Sequence, residues 1–305
     1  MQPQHASQHA SVDFRTNGTE FSPAGCSLHS RVCLNLLASV VLTATFIFGS
    51  SAKAQLRPLE PIPWRVFEPN AVASAELGGS RLFDQRASLA GTSGVLTELA
   101  NFSIALRTGR VALEAAGTGQ RIFRDESRFA SAYPDVASPT DNRRRDSGDY
   151  RISTAVRLTP DAYPITGVLR FGTRLPTTDN TIGLDRDATD FFATAGASGS
   201  RGALVLSAEA GLGIHSTRES GFEQDDLFLY AIRAEFRASG WSPTAMVTGQ
   251  EHGYAHSAIR GVENLSEARV GIRFGNPRWF RLEGVKGLTT FSPSGGILLT
   301  AGFVR

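Results

Sequence analysis

The sequence predicts an all-β chain: a transmembrane, antiparallel, up-and-down β-barrel of about twelve strands. Three observations carry that reading. Apolar and polar residues alternate with period two in segment after segment, the mark of strands with one apolar and one polar face. The connections between those segments are alternately short and long, as in outer-membrane barrels. An export signal precedes them all.

The signal comes first. An apolar run from Val32 to Phe48, broken only by Asn35, is shorter than the ~20 residues of a spanning helix. Arg31 precedes it and the small-x-small site Ala52-Lys53-Ala54 follows, so cleavage is expected before Gln55. Residues 1–54 are therefore read as a signal peptide. The thirty residues before Arg31 are long and polar for its charged start, which suits a translation start assigned too far upstream. Cys26 and Cys33 both lie before the cleavage site, so the mature chain is expected to be thiol-free. Next, Pro58, Pro61, Pro63 and Pro69 exclude a helix or a central strand, and residues 55–71 read as an extended periplasmic leader.

The barrel is expected over 72–305. Its strands fall near 72–82, 95–107, 110–123, 150–158, 165–175, 188–197, 203–214, 226–237, 241–250, 267–275, 279–288 and 296–304. Most approach the ~9–11 residues of a tilted membrane-crossing strand. In 165–175, Ile165, Leu169, Phe171 and Leu175 share one face while Thr166, Arg170 and Arg174 take the other. Gaps such as Thr108-Gly109 and Asn276–Arg278 are short, whereas Arg124–Asp149 is the longest. Tyr163, Trp241, Trp279 and Phe303 fall at the short-turn ends, where a periplasmic aromatic girdle belongs, and Phe123, Tyr150, Phe191 and Phe291 fall near the long loops. A soluble β-sandwich would also alternate, but its turns would be short at both ends.

Composition narrows the function. A mean hydropathy of -0.13 excludes a bundle of membrane helices. Thirty-one basic against 29 acidic residues, a net charge of +2, leave no electrostatic footprint for nucleic acid. No G-x-S-x-G, H-E-x-x-H or phosphate-binding glycine loop occurs.

The stretch Gly167-Val168-Leu169-Arg170-Phe171-Gly172-Thr173-Arg174 leads into Leu175-Pro176-Thr177-Thr178-Asp179, an acidic glycine loop and Thr189-Asp190-Phe191, followed by Ala208-Glu209-Ala210-Gly211-Leu212-Gly213. This resembles the MetA-pathway of phenol degradation family of bacterial outer-membrane barrels. Its members carry an L-P-T-G-D turn, matched here at Leu175, Pro176, Thr177 and Asp179, with Thr178 in place of the glycine. The similarity covers about 50 residues, and the end Phe303-Val304-Arg305 departs from the usual terminal aromatic. The resemblance implies an outer-membrane channel or transporter for small solutes, aromatic or hydrophobic ones among them.

Charged residues on the polar face belong in the lumen, because a charge on the lipid face costs ~2–4 kcal/mol at the midplane. The expected lumen-lining set is Arg107, Arg110, Glu114, Arg151, Arg157, Arg170, Arg174, Glu209, Arg233, Glu235, Arg269 and Arg273, with Arg237, Arg281 and Glu283 alongside. Two readings stay open: an Arg–carboxylate ladder that fills a narrow barrel, or a positive constriction that favours anions. Glu251, His252 and His256 form an H-x-x-x-H pattern that would bind metal on a helix but falls in a loop without helical periodicity. Asp185, Asp187 and Asp190 lack EF-hand spacing and read as a solvated loop, so metal binding is disfavoured at both. Arg143, Arg144 and Arg145 could meet lipopolysaccharide phosphates, with Asp141, Asp146 and Asp149 as local competitors.

The expectation is thus a non-enzymatic outer-membrane channel without cofactor or metal. Its partners are the surrounding lipid and lipopolysaccharide, the barrel-assembly machinery and a small solute. An outer-membrane hydrolase and a structural or adhesive barrel are the alternatives.

Overall fold

A computed structural model describes residues 56–61, 64–186, 188–216, 224–252 and 260–305. The signal segment, both cysteines, Pro63, Asp187 and His256 lie outside the described residues.

Thirteen strands form among the described residues: β1 (Ala73–Ala87), β2 (Thr92–Thr108), β3 (Val111–Arg128), β4 (Arg143–Asp146), β5 (Tyr150–Arg157), β6 (Ile165–Leu175), β7 (Asp190–Arg201), β8 (Leu204–Ser216), β9 (Gln224–Phe236), β10 (Trp241–His252), β11 (Leu265–Phe274), β12 (Arg278–Gly287) and β13 (Gly295–Val304). Each wall strand pairs antiparallel with its neighbours, and β1 pairs with both β2 and β13, so the sheet closes. The wall is a closed barrel of 12 antiparallel strands, and every expected strand is present. Closure leaves no sheet edge to be satisfied by lipid. The extra strand, β4, lies against the outer part of β3 after β5 has left it.

Alternation is strict where the wall crosses. Along β12, Arg278, Phe280 and Leu282 point outward while Trp279, Arg281 and Glu283 are buried. Leu77, Ile104, Leu113, Ile152, Phe171, Leu212, Val270 and Ile297 are among the large apolar residues on the outside. Glycines shape the turns. Gly109 and Gly202 open two-residue turns at φ 56° and 59°, the left-handed conformation that matches the twist of a hairpin.

One irregularity shifts the pattern. Ala100 is skipped between the β1–β2 pairs Gly79↔Leu99 and Gly78↔Asn101, and it sits at φ 55°. Leu99 and Ala100 are both exposed, so the inward positions run from Glu98 to Asn101, Ser103 and Ala105 rather than in one parity.

The proline-rich segment departs most from expectation. Rather than forming an extended leader outside the barrel, residues 56–61 and 64–67 run inside it. Leu56 packs near the long loops with Leu82, Leu96, Phe123 and Leu184. A short 3-10 turn, Trp64–Phe67, lies at the other end, with Val66 and Phe67 against Ala105, Ala112 and Ala155. The chain therefore descends the lumen from the loop end to the turn end before reversing into β1. Prolines suit this path, since a thread surrounded by side chains has no ladder partner for its backbone N–H. The loop-side mouth is covered as well, by Ala90, Tyr133, Val136, Ile182 and Leu184 over Leu56.

Candidate functional site

The barrel interior gathers most of the chain's chemistry. Its wall is a network of arginines and carboxylates buried by period-two alternation. At its centre Arg170 on β6 donates to Glu114 on β3 through Nε (2.7 Å) and Nη2 (3.0 Å) and to Glu209 on β8 through Nη1. Ser153 and Thr194 add hydroxyl donors to the same two carboxylates. Toward the turn end, Glu235 holds Arg273 (2.6 Å) and Arg65 (2.8 Å). Toward the loop end, Arg174 meets Asp190 (2.7 Å), Asp149 (3.3 Å) and Asp185 (3.4 Å). Arg269 pairs with Glu267 (2.9 Å), and Arg281 with Glu283 (2.9 Å) and Glu76 (3.4 Å).

The threaded segment is fastened to this network at every level. Arg57 bridges Glu98 (3.0 Å) and Glu267 (2.9 Å). The Leu59 N–H donates to Gln250, and Leu59 packs on Phe192, Leu227 and Leu229. Glu60 accepts from Arg269 (2.6 Å) through its side chain and from Arg151 through its carbonyl. Trp64 donates to Glu209 (2.8 Å), and Arg107 lies over the Phe67 ring. Between this thread and β1, β2, β3 and β5 a cavity of about 200 Å³ remains, with Glu76, Asn101, Ser103, Ala116 and Arg151 in its walls.

Of the expected lumen residues, Glu114, Arg157, Arg170, Arg174, Glu209, Glu235, Arg269 and Arg273 are buried, as are Arg281 and Glu283. Arg151 and Arg233 are partly buried, and Arg107 and Arg157 sit at the turn-side rim on Asp161. Arg110 is not in the lumen. It is the second residue of the Gly109-Arg110 turn and is exposed, because a two-residue turn leaves no room for an inward side chain. Arg237 is also largely outside, with 42% of its side chain accessible.

Sequence reading missed Glu98, Arg121, Arg144 and Glu267 on the wall and Arg57, Glu60 and Arg65 on the thread. Period two places Glu98 and Arg121 inside only if the slip at Ala100 is known. Arg144 turns inward to Asp125 and to the Ala137 and Ile182 carbonyls, which anchors β4. Its neighbours Arg143 and Arg145 face out, and Arg143 stands directly opposite Arg124. Of the expected girdle residues, Tyr163, Trp241 and Phe303 are exposed while Trp279 is buried; of the aromatics near the long loops, Tyr150 and Phe191 are exposed while Phe123 and Phe291 are buried.

The family-like motif has a structural task here. Thr177 donates to Asp149 Oδ1 and to the Gly148 carbonyl, and the Asp179 N–H donates to Asp146. It thereby ties the β6–β7 loop to the joint between β4 and β5. In that joint, burial and then the nearby Asp185 carboxylate push Asp149 up to about 7. Burial opposes the charge of Asp185 too, but Arg174 and Arg121 outweigh it and hold that carboxyl well below its ordinary value. Asp185 and Asp190 are thus locked in ion pairs rather than solvated.

His252 packs on His215 with ring centroids 5.5 Å apart, and His215 Nε2 lies 3.5 Å from Asp190. His215 is 1% exposed, and Asp190 is already held by Arg174 and Arg186, so this carboxylate is engaged in ion pairs rather than free beside the imidazole. Among the described residues no three His, Cys, Asp or Glu side chains are placed to hold a metal ion.

Neither a protein-family model nor any curated protein sequence matches the chain. Solved structures do. The outer membrane channel from Pseudomonas putida F1 matches at TM-score 0.52 and 12% identity, over 84% of this chain and 100% of that one. The translocator domain of autotransporter NalP from Neisseria meningitidis matches at TM-score 0.42 and 12% identity, over 90% and 95%. The Ralstonia pickettii toluene transporter TbuX matches at TM-score 0.36 and 10% identity, over 78% and 90%. At such identities only the first likeness carries weight, and what it shows is the fold: this chain is built as a closed antiparallel β-barrel of the transmembrane kind.

Proposed function

We propose that the protein is an outer-membrane channel for small solutes whose conductance is set by the segment threaded through its lumen. The observation that carries this reading is that segment. It crosses the barrel on discrete ion pairs and hydrogen bonds, at Arg57, Glu60, Trp64 and Arg65, rather than on a continuous apolar seam. An apolar outer surface over a charged interior fits residence in the outer membrane, and the fold's likeness to outer-membrane proteins supports it. Passage for aromatic or hydrophobic solutes rests on the family resemblance of 167–213. Around the barrel, lipid is the expected cover of the apolar belt, and lipopolysaccharide phosphates are the proposed partners of the outward Arg124, Arg143 and Arg145. The barrel-assembly machinery is the expected partner in biogenesis.

Planar-bilayer recording tests the proposal. The mature protein is expected to show small, steady conductance. The combined Arg57→Gln, Trp64→Ala and Arg65→Gln variant is expected to show larger or flickering openings, because it releases three anchors without altering the wall strands. Silence in both, with heat-modifiable migration intact, would instead indicate a structural barrel.

A further inference from the structure

We propose that the cavity beside the threaded segment is a binding site for a small carboxylate that also carries a hydrogen-bond donor, as an amino acid or a hydroxy acid does. This names the solute class of the lumen and so rests on the channel reading.

The site is built by four adjoining wall strands. Glu76 on β1 pairs in register with Ser103 on β2, Ser103 with Ala116 on β3, and Ala116 with Arg151 on β5. Register partners point to the same face of a sheet, so these four inward residues form one row across the barrel wall. Three interstrand steps of about 4.8 Å separate the Cα atoms of its ends by roughly 14 Å, and the Arg151 and Glu76 side chains both line the cavity within that span. The two middle residues are short, so the row is a shallow floor with a cation at one end and a carboxylate at the other. The thread roofs it through Pro58, Leu59, Glu60 and Pro61. A volume of about 200 Å³ lies below the usual ~300–1,000 Å³ of drug-sized pockets, so the occupant is small.

The polar groups on this floor are incompletely satisfied, and each gap asks for a particular partner. Arg151 has no carboxylate within ion-pair distance among the described residues, unlike Arg170, Arg174, Arg269 and Arg281 around it. Its bond to the Glu60 carbonyl neutralises no charge, and its Nε is sealed from solvent without an acceptor. Phe192 covers one side of the guanidinium, 5.9 Å from its centre. That end lacks an anion, and a carboxylate fits the planar guanidinium fork. At the opposite end the deficit is of donors. Glu76 Oε2 meets Arg281, yet Glu76 Oε1 is buried without a partner, and so is Asn101 Oδ1 in the same cavity. A hydroxyl or ammonium group satisfies them. A simple anion would leave that end unpaired, and a simple cation would leave Arg151 bare.

The test is equilibrium binding to the full mature protein in detergent, with glycine, glycolate, acetate and methylammonium as probes. Glycine and glycolate are expected to bind at least about tenfold more tightly than acetate or methylammonium, the worth of one added charge-assisted hydrogen bond. Arg151→Gln is expected to weaken glycolate by about tenfold or more, and Arg151→Lys to recover part of that loss. Ala116→Leu fills the floor while leaving every charge in place, and it is expected to abolish binding in a protein that still migrates as a folded barrel. Equal affinity for acetate and glycolate, unchanged binding in Ala116→Leu, or no binding by the wild type up to roughly 10 mM would each overturn the proposal. Conductance is read separately, so a silent bilayer with intact glycolate binding refutes the channel and leaves the site standing.

Discussion

The Trp64 indole donates to Glu209 at 2.8 Å, and Glu209 is the carboxylate that Arg170 and Thr194 already hold from the wall. One side chain of the barrel thereby joins the thread to the centre of the ion-pair network. Trp64→Phe keeps the ring and deletes the donor, while Glu209 keeps Arg170. The loss is expected to be about 1.5–3 kcal/mol, the range for a hydrogen bond to a charged group, and confined to the thread. Amide exchange in residues 56–67 should accelerate by about tenfold or more, while the heat-shift temperature of the barrel stays put. Equal acceleration in β6 and β8 would show that the thread is not a separate unit.

Arg170 is 2% exposed between Glu114 and Glu209, so its removal strands two buried carboxylates. Arg170→Met is expected to cost about 3–5 kcal/mol, seen as a lower urea midpoint for unfolding. Arg170→Lys should rescue only part, because an ammonium cannot fork toward two acids. Adding Glu114→Gln and Glu209→Gln to Arg170→Met should restore most of the loss; failure to do so would assign Arg170 a packing role.

Much of this is legible in the sequence, and the exceptions have separate causes. Period two places Trp279 inside once Arg281 and Glu283 are inside, so its assignment to the girdle was avoidable. Glu98 was not readable in that way, because Ala100 interrupts the alternation with a conformation that its sequence does not announce. The thread left no periodic trace at all. Prolines say that residues 55–71 are neither helix nor central strand, but only the carboxylates waiting on four different strands, Glu98, Glu209, Glu235 and Glu267, say where the segment lies.

Asp149 provides a pH test. Its carboxyl is held near 7 in the folded protein, against about 3.9 for an ordinary aspartate, so folding favours its protonated form. The stability tied to that proton is complete below the unfolded value and is lost as pH climbs through the folded one. Asp149→Asn is therefore expected to stabilise the protein at about pH 8 and to be near neutral at about pH 5. Urea midpoints at the two values check it, and a penalty at both would mean that the contact with Arg174 dominates.

Glu235 receives Arg65, Arg273 and Arg237 near the turn-side mouth. Glu235→Gln leaves those guanidiniums without their shared counter-charge and loosens Arg65 on the thread. Bilayer reversal potentials in a salt gradient should shift toward anion preference, by more than in Arg110→Gln at the exposed turn. An equal shift in both would place the selectivity outside the lumen.

Arg124 and Arg143 face each other across β3 and β4, with Arg145 two residues along the same outward face. Directly opposed like charges destabilise a strand pair unless an anion sits between them. Arg143→Ser with Arg145→Ser is expected to reduce co-purifying lipopolysaccharide several-fold, consistent with losing two charge-assisted contacts. Retention at the wild-type level would exclude the patch as a phosphate contact.

The reversal at Pro69-Asn70, where Asn70 takes φ 63°, has a consequence for assembly. Residue 56 lies at one end of the barrel and β1 begins at the other, so the chain is a thread already drawn through its own ring. A ring made of hydrogen-bonded strands cannot be threaded cheaply after it shuts, since Arg57 and Glu60 would have to pass Trp64's berth stripped of water and partners. The segment is therefore expected to be laid down while the seam between β1 and β13 is still open. Mutations that weaken the thread's anchors should therefore delay or derail closure itself, long before any solute meets the finished wall.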